Sequence, residues 1–378
     1  MGCFQSIEPA RPNKPSLRVD VSSRVELSKH GSVYSLPSPK RAKSATPKNG
    51  NHWSIINDES DAFGLLLCGS GESGKTTFIR QLKYQMLGGF PEKELLQFVG
   101  IIRTNMIETI QLLLVWTEKN NINVSSSNEQ ARDVIIETDP AESDFTTEIC
   151  GYIRDLWDDP AIKLAFQHKD ENWVPDNMEY FFNKLDLIAM DDYVPSIDDI
   201  IRARVRTIGI DMITIEKDCT PIRIFDVGGQ KSERIKWNQI ESKIEGVIFC
   251  ISLADYDKPM FEDNEKLRIT DSIEIFDAIT HRNQFKHSPF FILCNKFDEF
   301  SKKVQSTDSF IRSFPEYFGD PHSPDQCAKF LIDRYIEKSG QSSSERPIID
   351  YKLVAIDKEN TVEVANAIFS FISENYFE

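Results

Sequence analysis

Eight consecutive residues, Gly69-Ser70-Gly71-Glu72-Ser73-Gly74-Lys75-Thr76, have the spacing G-x-x-x-x-G-K-[ST], and Thr77 follows them. Glycines at such a turn let backbone N–H groups curl around phosphate oxygens, the lysine ammonium reaches the β- and γ-phosphates, and the hydroxyl ligates Mg²⁺. Gly71 through Thr77 are therefore the candidate phosphate-binding residues, with Thr76 as a metal ligand. A second group, Asp226-Val227-Gly228-Gly229-Gln230, supplies a carboxylate suited to hold Mg²⁺ through water. Its Gly229 N–H suits a γ-phosphate, and Gln230 suits an attacking water. In Asn295-Lys296-Phe297-Asp298 the last carboxylate can accept both the N1 and N2 protons of guanine. Adenine offers no such donor pair, so this group favours GTP over ATP.

Between Thr76 and Asp226 lies the run Arg202-Ala203-Arg204-Val205-Arg206-Thr207-Ile208-Gly209. A basic cluster alone reads as a solvated face. Here it falls where a cation is needed, because negative charge spreads over phosphoryl oxygens in the transition state. Arg204 is the candidate for that role, and the Thr207 hydroxyl can complete the Mg²⁺ shell when a γ-phosphate is present.

The elements around these groups fit their chemistry. The apolar run Phe63 to Cys68 predicts a strand ending at the glycine turn, and a helix follows from Lys75 to Leu87 before Gly88-Gly89 and Pro91. From 92 to 201, apolar positions such as Ile102, Met106, Ile110 and Leu113 or Leu114 recur at helical spacing. Trp116, Trp157, Trp173 and the Phe181-Phe182 pair give this block material for its own core, while 121–147 reads as a loose polar excursion. Strands are then predicted at Ile222 to Phe225, Val247 to Ser252, Phe290 to Cys294 and Tyr351 to Ala355. They alternate with helices near Leu267 to Thr280 and after Pro324, and with a closing helix carrying Val362, Ala365, Phe369 and Ile372 on one face. Such alternation implies a mostly parallel sheet covered on both faces, with ligands at the carboxyl ends of its strands.

At 378 residues the chain has room for two domains. Its 44 Lys/Arg against 60 Asp/Glu give a net charge of −16, and the first fifty residues hold nine of those cations against three acids. The rest is more acidic still, which disfavours nucleic acid as a partner. The seven cysteines include no C-x-x-C pair and the six histidines have no metal-like spacing, so neither a disulfide framework nor a zinc site is expected. No uninterrupted apolar run approaches the roughly 18 residues that span a bilayer. Residues 1–61, rich in Ser, Pro and Lys, read as a flexible basic tail. Met1-Gly2-Cys3-Phe4-Gln5-Ser6 fits N-myristoylation at Gly2, with Cys3 available for S-acylation. The basic run Lys40-Arg41-Lys43 with Lys48 would reinforce attraction to an anionic leaflet.

With the phosphate loop, the helical insertion, Arg204, D-V-G-G-Q, N-K-x-D and Val354-Ala355-Ile356-Asp357, the chain resembles the α subunit of heterotrimeric G proteins over about residues 62 to 374. Asp191 to Pro195, Asp226 to Trp237 and Phe249 to Asp257 are similar to that family as well. The resemblance implies an α/β fold: a Ras-like P-loop GTPase domain, 62–90 and 202–378, with an inserted all-helical domain, 91–201. It implies hydrolysis of GTP to GDP with Mg²⁺, and contact between the Ala355 backbone N–H and guanine. Implied partners are a β–γ dimer, a seven-helix receptor, downstream effectors and, through acyl chains, the cytoplasmic face of the plasma membrane. The implied switches centre on Arg204 to Gly209, Gly228 to Trp237, and Phe261 to Lys266, with Ile210, Lys236 and Trp237 at the β–γ face. The chain departs from the family pattern at Ile208, Val354 and Ile356, in the Pro/Ser-rich tail, and at Glu374 to Glu378, about five residues short of the family's usual end. These departures keep two alternatives in view: a GTP-binding scaffold that does not cycle, and a GTPase working without β–γ or receptor.

Overall fold

The computed structural model describes residues 62–169, 174–217, 220–235, 237, 244–260, 263, 265–340 and 346–377. The expected tail with Gly2 and Cys3, together with Trp173, Lys236, Phe261, Glu262 and Asn264, lies outside the described residues.

The sheet is built on β1 (Phe63–Cys68), whose six residues are all buried. With β2 (Ile210–Lys217), β3 (Thr220–Val227), β4 (Gly246–Ser252), β5 (Phe290–Asn295) and β6 (Ile348–Lys352) it forms one sheet in the order β2-β3-β1-β4-β5-β6. All neighbours run parallel except β2 and β3. Central parallel strands are covered on both faces, which explains the unbroken apolar runs of β1, β4 and β5.

Each face packs on helices. Leu65, Leu67, Ile222, Ile224, Ile248 and Cys250 meet Phe78, Ile79 and Leu82 of α1 (Lys75–Met86), together with the last helix of the chain, Lys358–Tyr376. On the other face Leu66, Cys68, Phe249 and Ile251 meet Ile275, Phe276 and Ile279 of the helix Arg268–Thr280 and Leu331 and Tyr335 of the helix Pro324–Lys338.

Between α1 and β2 the described elements are helical and share a separate core. Its spine is α2 (Glu92–Lys119), which is followed by α3 (Glu129–Glu137), α4 (Thr147–Trp157), α5 (Pro160–Gln167), α6 (Met178–Phe182), α7 (Leu185–Ile188) and α8 (Ile197–Arg202). By length and mean hydropathy α2 could cross a membrane, but it buries Ile102, Met106, Ile110 and Leu113 against Trp157, Phe181 and Ile200 as a core helix does. A capping box opens α8: the Ser196 hydroxyl accepts from the Asp199 N–H at 3.2 Å and the Asp199 carboxylate accepts from the Ser196 N–H at 2.7 Å.

Four sequence expectations are corrected. Strand β2 was not foreseen, since Asp211, Glu216 and Lys217 interrupt its apolar pattern and only Ile213 and Ile215 are buried. The stretch 121–147 is not wholly loose, because α3 buries Ala131 and Ile135. Strand β6 ends at Lys352, so Val354 and Ala355 lie in a loop; as an edge strand it is only half-buried, and burial left little periodic signal. In the closing helix Val364 and Ile368, and not Val362, join Ala365, Phe369 and Ile372 on the buried stripe.

The helical core gives a stability test. Ile110→Ala removes a side chain with no exposure and is expected to cost about 2–5 kcal/mol in denaturant unfolding. Leu96→Ala, at an exposed position of α2, is expected to stay within about 0.5 kcal/mol.

Candidate functional site

The turn from β1 into α1 is shaped by positions that tolerate no side chain. Gly69 has φ 141°, and a Cβ there would lie 2.2 Å from the Cys250 carbonyl oxygen. Gly74 has φ 98°, and a Cβ there would lie 2.0 Å from Asn295 Nδ2. The turn folds over the Lys75 ammonium, which donates to the Ser70 carbonyl at 2.6 Å, the Gly69 carbonyl at 3.2 Å and Ser73 Oγ at 3.3 Å. Lys75 is 5% exposed, and burial lowers its pKa while the nearby Asp226 pulls it up. No side chain caps the N-terminus of α1, so its first N–H groups are free to meet an anion.

Asn295, at the end of β5, braces this turn from the side. Its Nδ2 donates to the Ser73 carbonyl at 2.8 Å and its Oδ1 accepts from the Ala355 N–H at 3.0 Å. The Ala355 N–H expected to meet guanine is thus engaged by a protein acceptor, because the loop after β6 turns toward Asn295.

Parallel pairing sets Asp226 opposite Leu67, one residue before the end of β1. Its Oδ2 accepts from Thr76 Oγ1 at 3.1 Å, and Thr76 Oγ1 lies 2.5 Å from Thr207 Oγ1. Asp226 Oδ1 is buried with no hydrogen-bond partner, and burial pushes the carboxyl up to about 6 against the pull of Lys75 and Thr76. An orphaned carboxylate oxygen beside two hydroxyls is a hard oxygen set that fits Mg²⁺. Among the described residues no cluster of three or more His, Cys, Asp or Glu offers a different metal site. Gly229 closes over the lysine: a Cβ there would be 2.4 Å from Lys75 Nζ.

Arg204 Nη2 meets Glu72 Oε1 at 2.6 Å, and Arg268 Nη1 meets Glu72 Oε2 at 2.9 Å. Burial works to raise the Glu72 pKa, but Arg204 and Arg268 hold it below the usual carboxylate value. Gln230 lines the same cavity beside the phosphate turn, where a Cβ on Gly71 would lie 3.4 Å from its Cγ.

These groups surround a cavity of about 450 Å³, within the range of about 300–1,000 Å³ usual for small-molecule sites. Ser73 and Asp226 lie behind its wall. All the other nucleotide-binding and catalytic candidates in the described residues line it, Lys75, Asp298 and Ala355 among them.

An ionic hub missed by the sequence reading supports the base-side loop. Lys296, at φ 57°, donates to Asp255 Oδ2 at 3.1 Å and to Asp176 Oδ2 at 3.2 Å, and Lys258 lies 3.3 Å from Asp176 Oδ1. Despite burial, Lys296, Lys258 and Arg268 hold Asp255 well below the ordinary carboxylate range. Asp255 follows the end of β4, on the same sheet edge as Asp226 and Asn295, and that placement was the available signal. Asp176 belongs to the helical segment and has no local signature.

Residues 41–372 match the family model for the G-protein alpha subunit. The chain is 52% identical over 326 residues to the guanine nucleotide-binding protein subunit alpha-1 of Trichomonas vaginalis, a match covering 86% of this chain and 81% of that protein. It is 32% identical over 309 residues to the guanine nucleotide-binding protein alpha-2 subunit of Schizosaccharomyces pombe, covering 81% and 86%. It is also 32% identical over 319 residues to the alpha-4 subunit of Caenorhabditis elegans, covering 82% and 88%. With its phosphate-shaped turn, its helical core inserted ahead of β2 and these matches, the chain belongs to the G-protein alpha subunit family.

Proposed function

We propose that this chain is a guanine-nucleotide switch that binds GTP, hydrolyses it to GDP and phosphate, and relays the state of a membrane receptor to effectors. The observation that carries the reading is one cavity with the buried Lys75 ammonium on its wall and the Asp298 carboxylate elsewhere on the same wall. A nucleotide bound there sets its phosphates against the α1 N-terminus and Lys75, and its guanine N1 and N2 protons against Asp298. Ala355 contributes a wall contact.

Gln230 orients the attacking water, and Arg204, released from Glu72, meets charge developing on the γ-phosphoryl oxygens. The Thr76 and Thr207 hydroxyls, with Asp226 through water, would hold Mg²⁺, which would supply neutralisation of the phosphate charge. Thr207 and Gly229 belong to the two segments that respond to the γ-phosphate. The second segment has its own supports: Arg234 pairs with Asp271 at 2.5 Å, and Trp237 Nε1 donates to the Gly228 carbonyl at 2.8 Å. In this reading 62–90 and 202–378 form the GTPase domain, 91–201 the inserted domain, and 1–61 a tail acylated at Gly2 and Cys3 that holds the protein at the cytoplasmic face of the plasma membrane. A β–γ dimer binds the GDP form at the face carrying the exposed Ile210; Trp237, expected on that face, is instead 5% exposed and packed into the core beside the sheet, because its indole turns inward to the Gly228 carbonyl. The relatives named as guanine nucleotide-binding alpha subunits support this assignment.

Three substitutions test it. Gln230→Leu is expected to bind GTP and to lose single-turnover phosphate release; an unchanged rate removes Gln230 from the reaction. Arg204→Cys is expected to slow the same step by about 10³-fold or more, and an intact rate returns Arg204 to the role of a solvated cation. Asp298→Ala is expected to weaken binding of fluorescent GDP by at least about 100-fold while ADP stays unbound; equal affinity for the two bases in the unsubstituted chain overturns the assignment of Asp298.

A further inference from the structure

Two largely buried polar side chains line the cavity, and neither belongs to the phosphate or base contacts proposed above. Arg80 of α1 is 4% exposed, and Asn105 of α2 is 8% exposed in a stretch that also buries Ile101, Ile102 and Met106. Burying such groups costs free energy unless they are hydrogen-bonded. They meet at one peptide unit. Arg80 Nη1 donates to the Ala203 carbonyl at 2.6 Å and to the Ile200 carbonyl at 2.9 Å, while Asn105 Oδ1 accepts from the Arg204 N–H at 2.9 Å.

The Ala203 carbonyl and the Arg204 N–H are the two polar ends of the bond that joins these residues. A peptide unit is planar and stiff, so holding both ends fixes its plane and the direction in which the Arg204 side chain leaves the backbone. The grip comes from both bodies of the fold, since α1 packs on the sheet and α2 is the spine of the helical core. Two adjacent features stiffen the approach to this peptide. Ala203 N–H donates to the Asp199 carbonyl at the end of α8, and Asn177 Nδ2 donates to the Arg202 carbonyl. The Arg80 guanidinium also lies 5.1 Å from the Phe98 ring centre, which holds it over an aromatic face.

We propose that Arg80 and Asn105 are positioning residues that clamp the Ala203–Arg204 peptide and so aim Arg204 into the cavity, a proposal that rests on the role given to Arg204 above. The Arg204 side chain is half-buried and pairs with Glu72, while the clamp fixes its backbone end. Without the Asn105 acceptor the peptide gains freedom, and Arg204 reaches the phosphoryl oxygens from a broader set of directions at an entropic cost.

The test is a double-mutant cycle on the full chain, loaded with GTP and triggered with Mg²⁺, reading single-turnover phosphate release. Asn105→Ala is expected to slow release roughly tenfold, the worth of one net hydrogen bond, with GDP still tightly held. In the Arg204→Ala background the same substitution is expected to change nothing further. Asn105→Asp, which retains an acceptor oxygen, is expected to restore most of the rate and guards against a folding defect. A wild-type rate in Asn105→Ala, or an equal slowing with and without Arg204, overturns the clamp. If the unsubstituted chain binds GTP and releases no phosphate, the hydrolytic reading fails by itself. Hydrogen exchange at the Arg204 amide in the GDP form then decides the clamp: faster exchange in Asn105→Ala supports it, and unchanged exchange overturns it.

Discussion

A buried ammonium with no carboxylate at ion-pair distance among the described residues, and only the more distant pull of Asp226, sets the design of this molecule. Lys75 is enclosed by the turn that precedes it, and among the described residues two carbonyl oxygens and a hydroxyl answer its charge within hydrogen-bond distance. Removing a cation from water costs several kcal/mol even after relaxation, so the site is disposed to take up negative charge. The enclosure exists because Gly69 and Gly74 adopt positive φ values where a Cβ would collide with Cys250 and Asn295. Gly229 approaches the ammonium more closely than any side chain allows.

The sheet order converts that local turn into a site. β1 lies between β3 and β4, so the carboxyl ends of the strands deliver Asp226, Asp255 and Asn295 to the same edge as the turn. The helical core supplies the facing wall through Asp176, Asn177 and Asn105. Contacts between the two bodies are polar and specific: Lys296 and Lys258 reach Asp176, Arg80 reaches the last carbonyls of α8, and the Arg204 N–H reaches Asn105. Hydrogen bonds of this kind fix orientation, and they can be exchanged for water at modest net cost when the bodies part.

Much of this was legible in the residues because local sequence determines it. The phosphate turn follows from glycines and a lysine at fixed spacing between a buried strand and a helix, and the base-side loop from a carboxylate just beyond another buried strand. The helical block was legible from the period of Ile102, Met106 and Ile110. Legibility failed where burial is partial or where the partners are distant in the chain. Strand β2 and edge strand β6 are half-exposed, so their alternation is weak. The Ala355 N–H was expected at the base, and only the fold reveals that Asn295, 60 residues earlier, accepts from it. Asp176 and Asp255 meet Lys296 across separations of 120 and 41 residues, which no local pattern encodes. Asn105 was hidden inside an apolar helical repeat, although a buried amide in such a repeat is itself a sign of a specific partner.

The most direct test of the central claim is to purify the chain in Mg²⁺, denature it and identify by chromatography whatever nucleotide it has carried. The account predicts near-stoichiometric guanine nucleotide in the intact chain and a loss of most of it in a Lys75→Ala variant that keeps its fold. Adenine nucleotide in its place, or guanine nucleotide retained equally without the ammonium, would contradict it.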